Sequence, residues 1–441
     1  MSEHPEHRPE GRVSRWAAGL VLVRPGEGPL LLLSGGYFFL LLLGYYLLRP
    51  MRETFGIARG ADNLPWLMSG TLVAMLAVNP LFGALVSRFP RRRFIPGATR
   101  VFCATIVVFF LALVLSSGRP SPWLGYTFYV WLSVFNLFVV SLFWGFMTDL
   151  FTEEQGRRLF GIVALGGSAG AITGAWVAAA LSSGIHLGAL QLQAGTPVLL
   201  LFAALVLEGT VWCVHGLCDR RGLGDRAGEA REPGPGALEG LRLLGSSPYL
   251  RLMAAYLLLF TITSTLLYLE QGRIVAKTFS GTAARTAAFA RLDLWTNLLT
   301  LGTQLLFTGR ILRRIGIGIV LCLLPLLTLG GFAALALWPS FVTLGAVMVA
   351  RRGLHHAVDR PARELLYIPL GPGEKYKSKP FIDTFVYRTG DIAGAWIPTL
   401  LARLGAGFAP AALVLSALWL GSGAWLGKWA GRMLGKDAEA P

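Results

Sequence analysis

The sequence predicts an all-α protein that crosses a bilayer twelve times in two six-helix halves. Three observations carry that prediction. Hydrophobic residues make up 54% of the 441 positions and charged residues only 15%, with a mean hydropathy of +0.58, whereas an average soluble domain is about a quarter charged. Apolar stretches long enough for a hydrocarbon core of roughly 30 Å recur along the whole chain. Basic residues gather in alternate connections between those stretches.

The stretches run over 29–48, 64–87, 95–117, 122–147, 159–183, 196–216, 250–269, 286–308, 315–337, 340–357, 380–403 and 408–428. The tenth is the least apolar, because Arg351, Arg352, His355 and His356 stand in its second half. Ahead of the first lies an N-terminal segment, residues 1–23. It mixes acids and bases before a short apolar run, which does not read as a cleaved signal.

The net charge of +16 could suggest a nucleic-acid partner, but its distribution does not. Arg88, Arg91, Arg92 and Arg93 follow the second stretch, and Arg157 and Arg158 follow the fourth. Arg220, Arg221, Arg226 and Arg231 follow the sixth, and Arg310, Arg313 and Arg314 the eighth. The intervening loops carry far fewer. This positive-inside pattern predicts cytoplasmic termini and a cytoplasmic linker, with the lipid bilayer as the chain's surroundings. Cys103, Cys213, Cys218 and Cys322 show no metal-ligand spacing and read as small apolar fillers. No cofactor and no nucleic-acid partner is expected, and the chain is expected to be a monomer.

The stretch CDRRGLGDRAGEAREPGPGALEG is charged, rich in Gly and Pro, and non-periodic. It reads as a linker, residues 217–247. It separates a first bundle, 24–216, from a second, 248–430, with a tail at 431–441. An internal repeat supports the division. GAITGAW at 170–176 and GDIAGAW at 390–396 share two Gly, Ile, Ala and Trp. At the same offset EQGRRLFGI (154–162) aligns with EKYKSKPFI (374–382), each entering the fifth stretch of its half. Duplicated six-helix halves resemble the arrangement of the major facilitator transporters, whose site lies between the halves near the midplane.

Charges inside apolar stretches are costly, at least about 2.5–3.5 kcal/mol each when lipid-facing, and so mark candidate sites. In the eleventh stretch Lys379, Asp383, Tyr387 and Asp391 recur every four residues along one helix face, with Arg388 three residues before Asp391. Lys375 and Lys377 precede them. Arg49, Arg52 and Glu53 close the first stretch around Pro50, which should break or kink the helix there. Glu270, Arg273 and Lys277 stand at the equivalent point of the second half. A packing role is open for all of these: Arg388 with Asp391, and Lys379 with Asp383, could simply neutralise each other between the halves. The adjacent His355 and His356 should point to different helix faces and form no metal site. Glu208, Asp293 and Asn297 are isolated polar residues in apolar runs.

No G-x-x-x-x-G-K-[ST] loop is present, which excludes nucleotide hydrolysis by that route. No stretch outside the apolar segments is long enough for a soluble catalytic domain. A transporter fits these facts better than an enzyme. It could carry an organic anion past the arginines and lysines, or export an unrelated small molecule coupled to protons through Glu208, Asp293 or Asp391. A membrane partner protein without transport is the third reading.

Four pieces, VRPGEGPLLLLSGGYFFLLLLGYYLLRPMRETFG, LFWGFMTDLFTEEQGRRLFGI, RPARELLYIPLGPGEKYKSKPFIDTFVYRTGD and the trailing GAW, resemble the bacterial and plastid-type ATP/ADP translocases. These are non-mitochondrial exchangers with a major facilitator-like fold, and the similarity covers nearly all of residues 24–430. The resemblance implies exchange of ATP for ADP without hydrolysis. It also implies functional charges after the first stretch, in the seventh and before the eleventh: Arg52, Glu270 and one of Lys375, Lys377 or Lys379. The chain departs from the plastid-type pattern in the fourth stretch, where an acid is expected. Residues 101–148 hold no Asp or Glu, and Asn136 is the nearest polar candidate.

Overall fold

The computed structural model describes residues 23–24, 26–116, 121–183, 185–187, 190–192, 196–221, 237–306, 316–370, 374, 378–379 and 381–438. The first half is built from α1 (Gly28–Gly56), α2 (Leu64–Arg88), α3 (Arg91–Leu115), α4 (Pro122–Leu150), α5 (Glu153–Ser183) and α6 (Thr196–Arg221). A short helix, α7 (Ala237–Ser246), precedes α8 (Pro248–Thr278), α9 (Thr282–Leu306) and α10 (Ile317–Leu337). Helix α11 starts as Phe341–Leu354, widens into a π turn at His355–Asp359 and ends as Arg360–Leu365. Helix α12 starts as a π turn at Ile382–Val386 and continues as Tyr387–Arg403, and α13 is Phe408–Ala438. Apart from an antiparallel hairpin pairing Ile185–Leu187 with Leu190–Leu192, the described chain is helical or in short connections.

Each apolar stretch read from the sequence falls on a helix. Among the described residues, α1, α3, α4, α5, α6, α8, α10 and α13 contain segments long and apolar enough to cross a membrane. Helix α9 falls outside that group because Arg285, Arg291 and Asp293 interrupt it, while α11 and α12 are cut by their π turns and α11 carries buried charge at Arg351 and Asp359. The chain is an all-α, multi-pass membrane protein. Its crossing count of twelve rests on the sequence pattern.

Local chemistry explains several boundaries. Ser121 and Ser247 cap α4 and α8 by accepting from the amides of Leu124 and Leu250, and in each helix a proline occupies the first turn, where its missing N–H costs nothing. Of the break or kink expected at Pro50, the break does not occur. The helix runs on to Gly56 because Leu47, Leu48 and Met51 around the proline are fully buried, and tertiary packing outweighs the lost backbone bond.

Two apolar cores define the halves. Tyr37, Leu41, Met51, Phe128, Phe143 and Leu207 belong to the first, and Tyr256, Leu321, Trp419 and Leu426 to the second. The repeated glycines sit at matching contacts. A Cβ at Gly174 would lie 2.7 Å from the Leu43 carbonyl, packing α5 on α1; one at Gly394 would lie 2.9 Å from the Ile262 carbonyl, packing α12 on α8. Small residues four apart permit this approach.

The two ends of the bundle differ. On the side of α7, ion pairs hold the first half together: Glu27 with Arg158 at 2.9 Å, Arg91 with Asp149 at 2.9 Å, Arg92 with Asp219 at 2.8 Å. At the opposite end a third apolar cluster joins the halves, with Ile57, Leu64, Leu67 and Tyr129 from the first against Ile262, Leu266, Ile274 and Phe289 from the second. There Trp396 donates to Ser69 Oγ at 3.1 Å and stacks edge-on against Trp66. Thus the halves are sealed at the end remote from α7.

Candidate functional site

Below that seal lies a cavity of about 400 Å³ between the halves. Helices α1, α2 and α4 supply Arg52, Thr71, Tyr129, Ser133 and Asn136; α8, α11 and α12 supply Ser264, Thr265, Tyr268, Arg351, Arg352, His355, His356, Arg388 and Asp391. Four arginines therefore face one carboxylate. A second cavity of about 320 Å³ shares His355, His356 and Tyr387 with the first and extends it past Arg360, Arg363, Glu364 and Asp383, towards the α7 side.

Each arginine is positioned differently. Arg52 donates from Nη2 to Glu53 at 2.6 Å and from Nη1 to Ser133 Oγ at 3.1 Å, with its guanidinium 4.9 Å over the Tyr129 ring. Tyr268 of the second half donates to the other Glu53 oxygen at 2.6 Å and meets Tyr129 hydroxyl-to-hydroxyl at 2.9 Å. Arg352 donates to Asp293 Oδ1 at 3.2 Å and to Gln271 Oε1 at 3.3 Å. Arg49 reaches the same Asp293 oxygen at 2.7 Å from the other half. Arg388 lies 3.5 Å from Asp391 Oδ2, while Thr265 donates to Oδ1 at 3.3 Å. Arg351 is held by neutral groups: Nε on Thr328 Oγ1 at 2.9 Å, Nη2 on Ser264 Oγ at 2.7 Å and on the Phe260 carbonyl at 3.5 Å.

His355 and His356 open the π turn in α11 and both line the central cavity, with ring centroids 4.8 Å apart. His355 Nδ1 is 3.0 Å from Asp359 Oδ2 and its ring stacks on Phe260. Among the described residues no His, Cys, Asp and Glu cluster could hold a metal ion.

The predicted residues separate into groups. Arg52, Arg388 and Asp391 line the central cavity, and Arg49 stands behind it on Asp293. Asp383 lines the second cavity. Lys379 pairs with Glu364 rather than with Asp383. Glu270 and Arg273 lie beyond the apolar seal in a separate pocket with Phe332 and Phe408, where Arg273 pairs with Glu270 and Asp62, each at 3.7 Å. Lys375 and Lys377 fall outside the described residues. Glu208 pairs with Arg100 at 3.0 Å and does not line the cavity. Arg351, Arg352, Tyr129, Tyr268 and Ser264 line the cavity and were not among the residues selected from the sequence. The signal for the two arginines is the polar striping of the tenth apolar stretch, Arg351 with His355 and Asp359 and Arg352 with His356 and Arg360, which marks a helix half in water or lining a polar cavity.

This helical bundle, with a cationic cavity between its halves, has a major facilitator-like fold. A solved relative in fold, the bacterial homologue of the human lysosomal transporter Spinster in an inward-facing state, superposes with a TM-score of 0.57 at 14% identity, over 95% of this chain and 100% of that one. The chain belongs to the TLC ATP/ADP transporter family, whose profile matches residues 120–430. It is 22% identical to ADP,ATP carrier protein 1 of Chlamydia trachomatis over 415 residues, covering 80% of this chain and 78% of the carrier. It is 24% identical to the chloroplastic ADP,ATP carrier protein 2 of Arabidopsis thaliana over 299 residues, covering 61% of this chain and 48% of that carrier.

Proposed function

We propose that the protein exchanges nucleotides of the ATP/ADP class across the bacterial inner membrane by alternating access, as a monomer and without chemical turnover. The observation that carries this reading is the cavity between the halves, where four arginines face one carboxylate in a member of a family of ATP/ADP transporters. Nucleotide phosphates carry several negative charges, which guanidinium groups match by charge-assisted, often bidentate, hydrogen bonds. Residues 24–216 and 248–430 would move as two bodies, with the seal at Trp66 and Trp396 as the gate closed in this state.

In this proposal the α7 side is cytoplasmic, supported by the basic residues gathered there. Lys375, Lys377, Lys379 and Asp383 belong to the inner mouth, and Glu270 and Arg273 to the outer vestibule reached after the gate opens. Arg49, Arg52, Arg388 and Asp391 act at the centre. Purified protein in liposomes loaded with ADP should take up labelled ATP or ADP by counterflow, and empty liposomes should not. Uptake independent of internal nucleotide, or driven only by a proton gradient, would overturn the exchange reading.

A further inference from the structure

We infer that Arg351 is the anchor for the phosphate groups of the substrate, an inference that rests on the nucleotide reading above. The other three arginines of the central cavity each contact a carboxylate: Arg52 has Glu53, Arg352 has Asp293 and Arg388 has Asp391. Arg351 is only 5% exposed, and among the described residues no carboxylate lies within ion-pair distance of it. Its own helix offers Asp359, but that carboxylate is taken: Oδ1 accepts from Tyr256 at 2.8 Å, and Oδ2 is met by His355 at 3.0 Å and Arg363 at 3.3 Å.

A cation removed from water without a counter-charge is expensive. Here the charge is kept and aimed. Thr328, Ser264 and the Phe260 carbonyl fix the orientation of Nε and Nη2. The rings of Phe260 and Trp419 lie 5.4 and 5.8 Å from the guanidinium carbon and supply only their faces. Nη1 makes no hydrogen bond among the described residues, and Arg351 lines the cavity. What completes this arrangement is an oxyanion arriving from the cavity. Of the parts of a nucleotide, only the phosphates are oxyanions, so the phosphate chain faces α8 and α11 and the base and sugar lie towards the first half.

The test measures binding of pyrophosphate and of ADP to the purified protein by calorimetry, with melting temperature as the folding control. Arg351→Gln removes the charge and the guanidinium fork and leaves a shorter, neutral polar side chain. Ser264→Asp keeps Arg351 and gives it the carboxylate it lacks, so it remains available if the glutamine variant does not fold. Both are expected to weaken pyrophosphate and ADP by about tenfold or more, the scale of one charge-assisted contact. Folded variants that hold both ligands as wild type does overturn the assignment of Arg351 and leave nucleotide exchange standing. Wild type that takes pyrophosphate but not ADP, with the loss in both variants, upholds the oxyanion site and overturns the nucleotide reading. Wild type that takes neither overturns both.

Discussion

Asp293 Oδ1 accepts from Arg49 Nη1 at 2.7 Å across the seam between the halves. The same oxygen accepts from Arg352 at 3.2 Å on its own side. Asp293 is 3% exposed, so one carboxylate offsets two arginines in a dry setting. Asp293→Asn leaves both cations unmatched, and breaking a buried pair this way costs about 3–5 kcal/mol. The melting temperature should fall clearly, and Arg49→Gln added to Asp293→Asn should recover part of it. An Asp293→Asn protein that melts like wild type would show that the seam does not depend on this carboxylate.

Arg388 and Asp391 stand in wetter surroundings, with side-chain exposures of 40% and 21% and 3.5 Å between the charged groups. A pair of this kind contributes about 0–1 kcal/mol to stability. Arg388→Ala should therefore leave the melting temperature nearly unchanged while weakening nucleotide binding more than about tenfold, equivalent to about 1.4 kcal/mol. Arg388→Lys should rescue in part, because an ammonium lacks the guanidinium fork. If Arg388→Ala combined with Asp391→Ala transports normally, the two residues only pack the halves.

Gly174 and Gly394 offer a test of the matched helix crossings. Added Cβ atoms would meet the Tyr46 Cβ at 2.9 Å in one half and the Thr265 Cβ at 2.8 Å in the other. Overpacking of this sort costs about 1–3 kcal/mol. Gly174→Leu and Gly394→Leu should each lower the melting temperature, whereas Gly145→Ala, with nothing within 4 Å of the new atom, should not.

Glu27, ahead of α1, accepts hydrogen bonds from Arg158, the Arg24 amide and Gln155. The Arg158 hydrogen bond foremost, then the other two, hold its carboxyl at about 2, below the ordinary 4.5. A carboxyl lowered on folding contributes stability that is present above its unfolded value and lost as pH falls through the folded one. The stability difference between wild type and Glu27→Gln should therefore be full above about pH 5 and shrink towards pH 2. A difference that does not change over that range would remove Glu27 from the account.

Helix positions were legible because hydrocarbon thickness dictates the length of an apolar run, whatever the run packs against. Arg388 and Asp391 were legible for a related reason: charge at that depth needs a polar surrounding. The Arg351–Arg352 pair was visible as charge but not as function. Consecutive residues diverge around a helix, and only the fold shows that one guanidinium meets Asp293 while its neighbour meets Thr328 and Ser264. The bond between Arg49 and Asp293 joins residues 244 apart in sequence, beyond any local pattern. Glu270 and Arg273 stand only about half a turn and one and a half turns of α8 from Tyr268, yet the apolar seal comes between them and the cavity. Spacing along a helix does not say where a gate will fall.

The seal itself has a thermal consequence. Ile57, Leu64 and Leu67 meet Ile262, Leu266 and Ile274 there, with the Trp396–Ser69, Tyr129–Tyr268 and Arg273–Asp62 contacts as its polar part. Opening that end wets apolar surface, so the step carries a positive heat-capacity change. The attraction that holds the seal weakens on cooling, so the state open at that end should gain population as temperature falls. The temperature dependence of transport should therefore be curved, because the balance between the two orientations itself drifts with temperature.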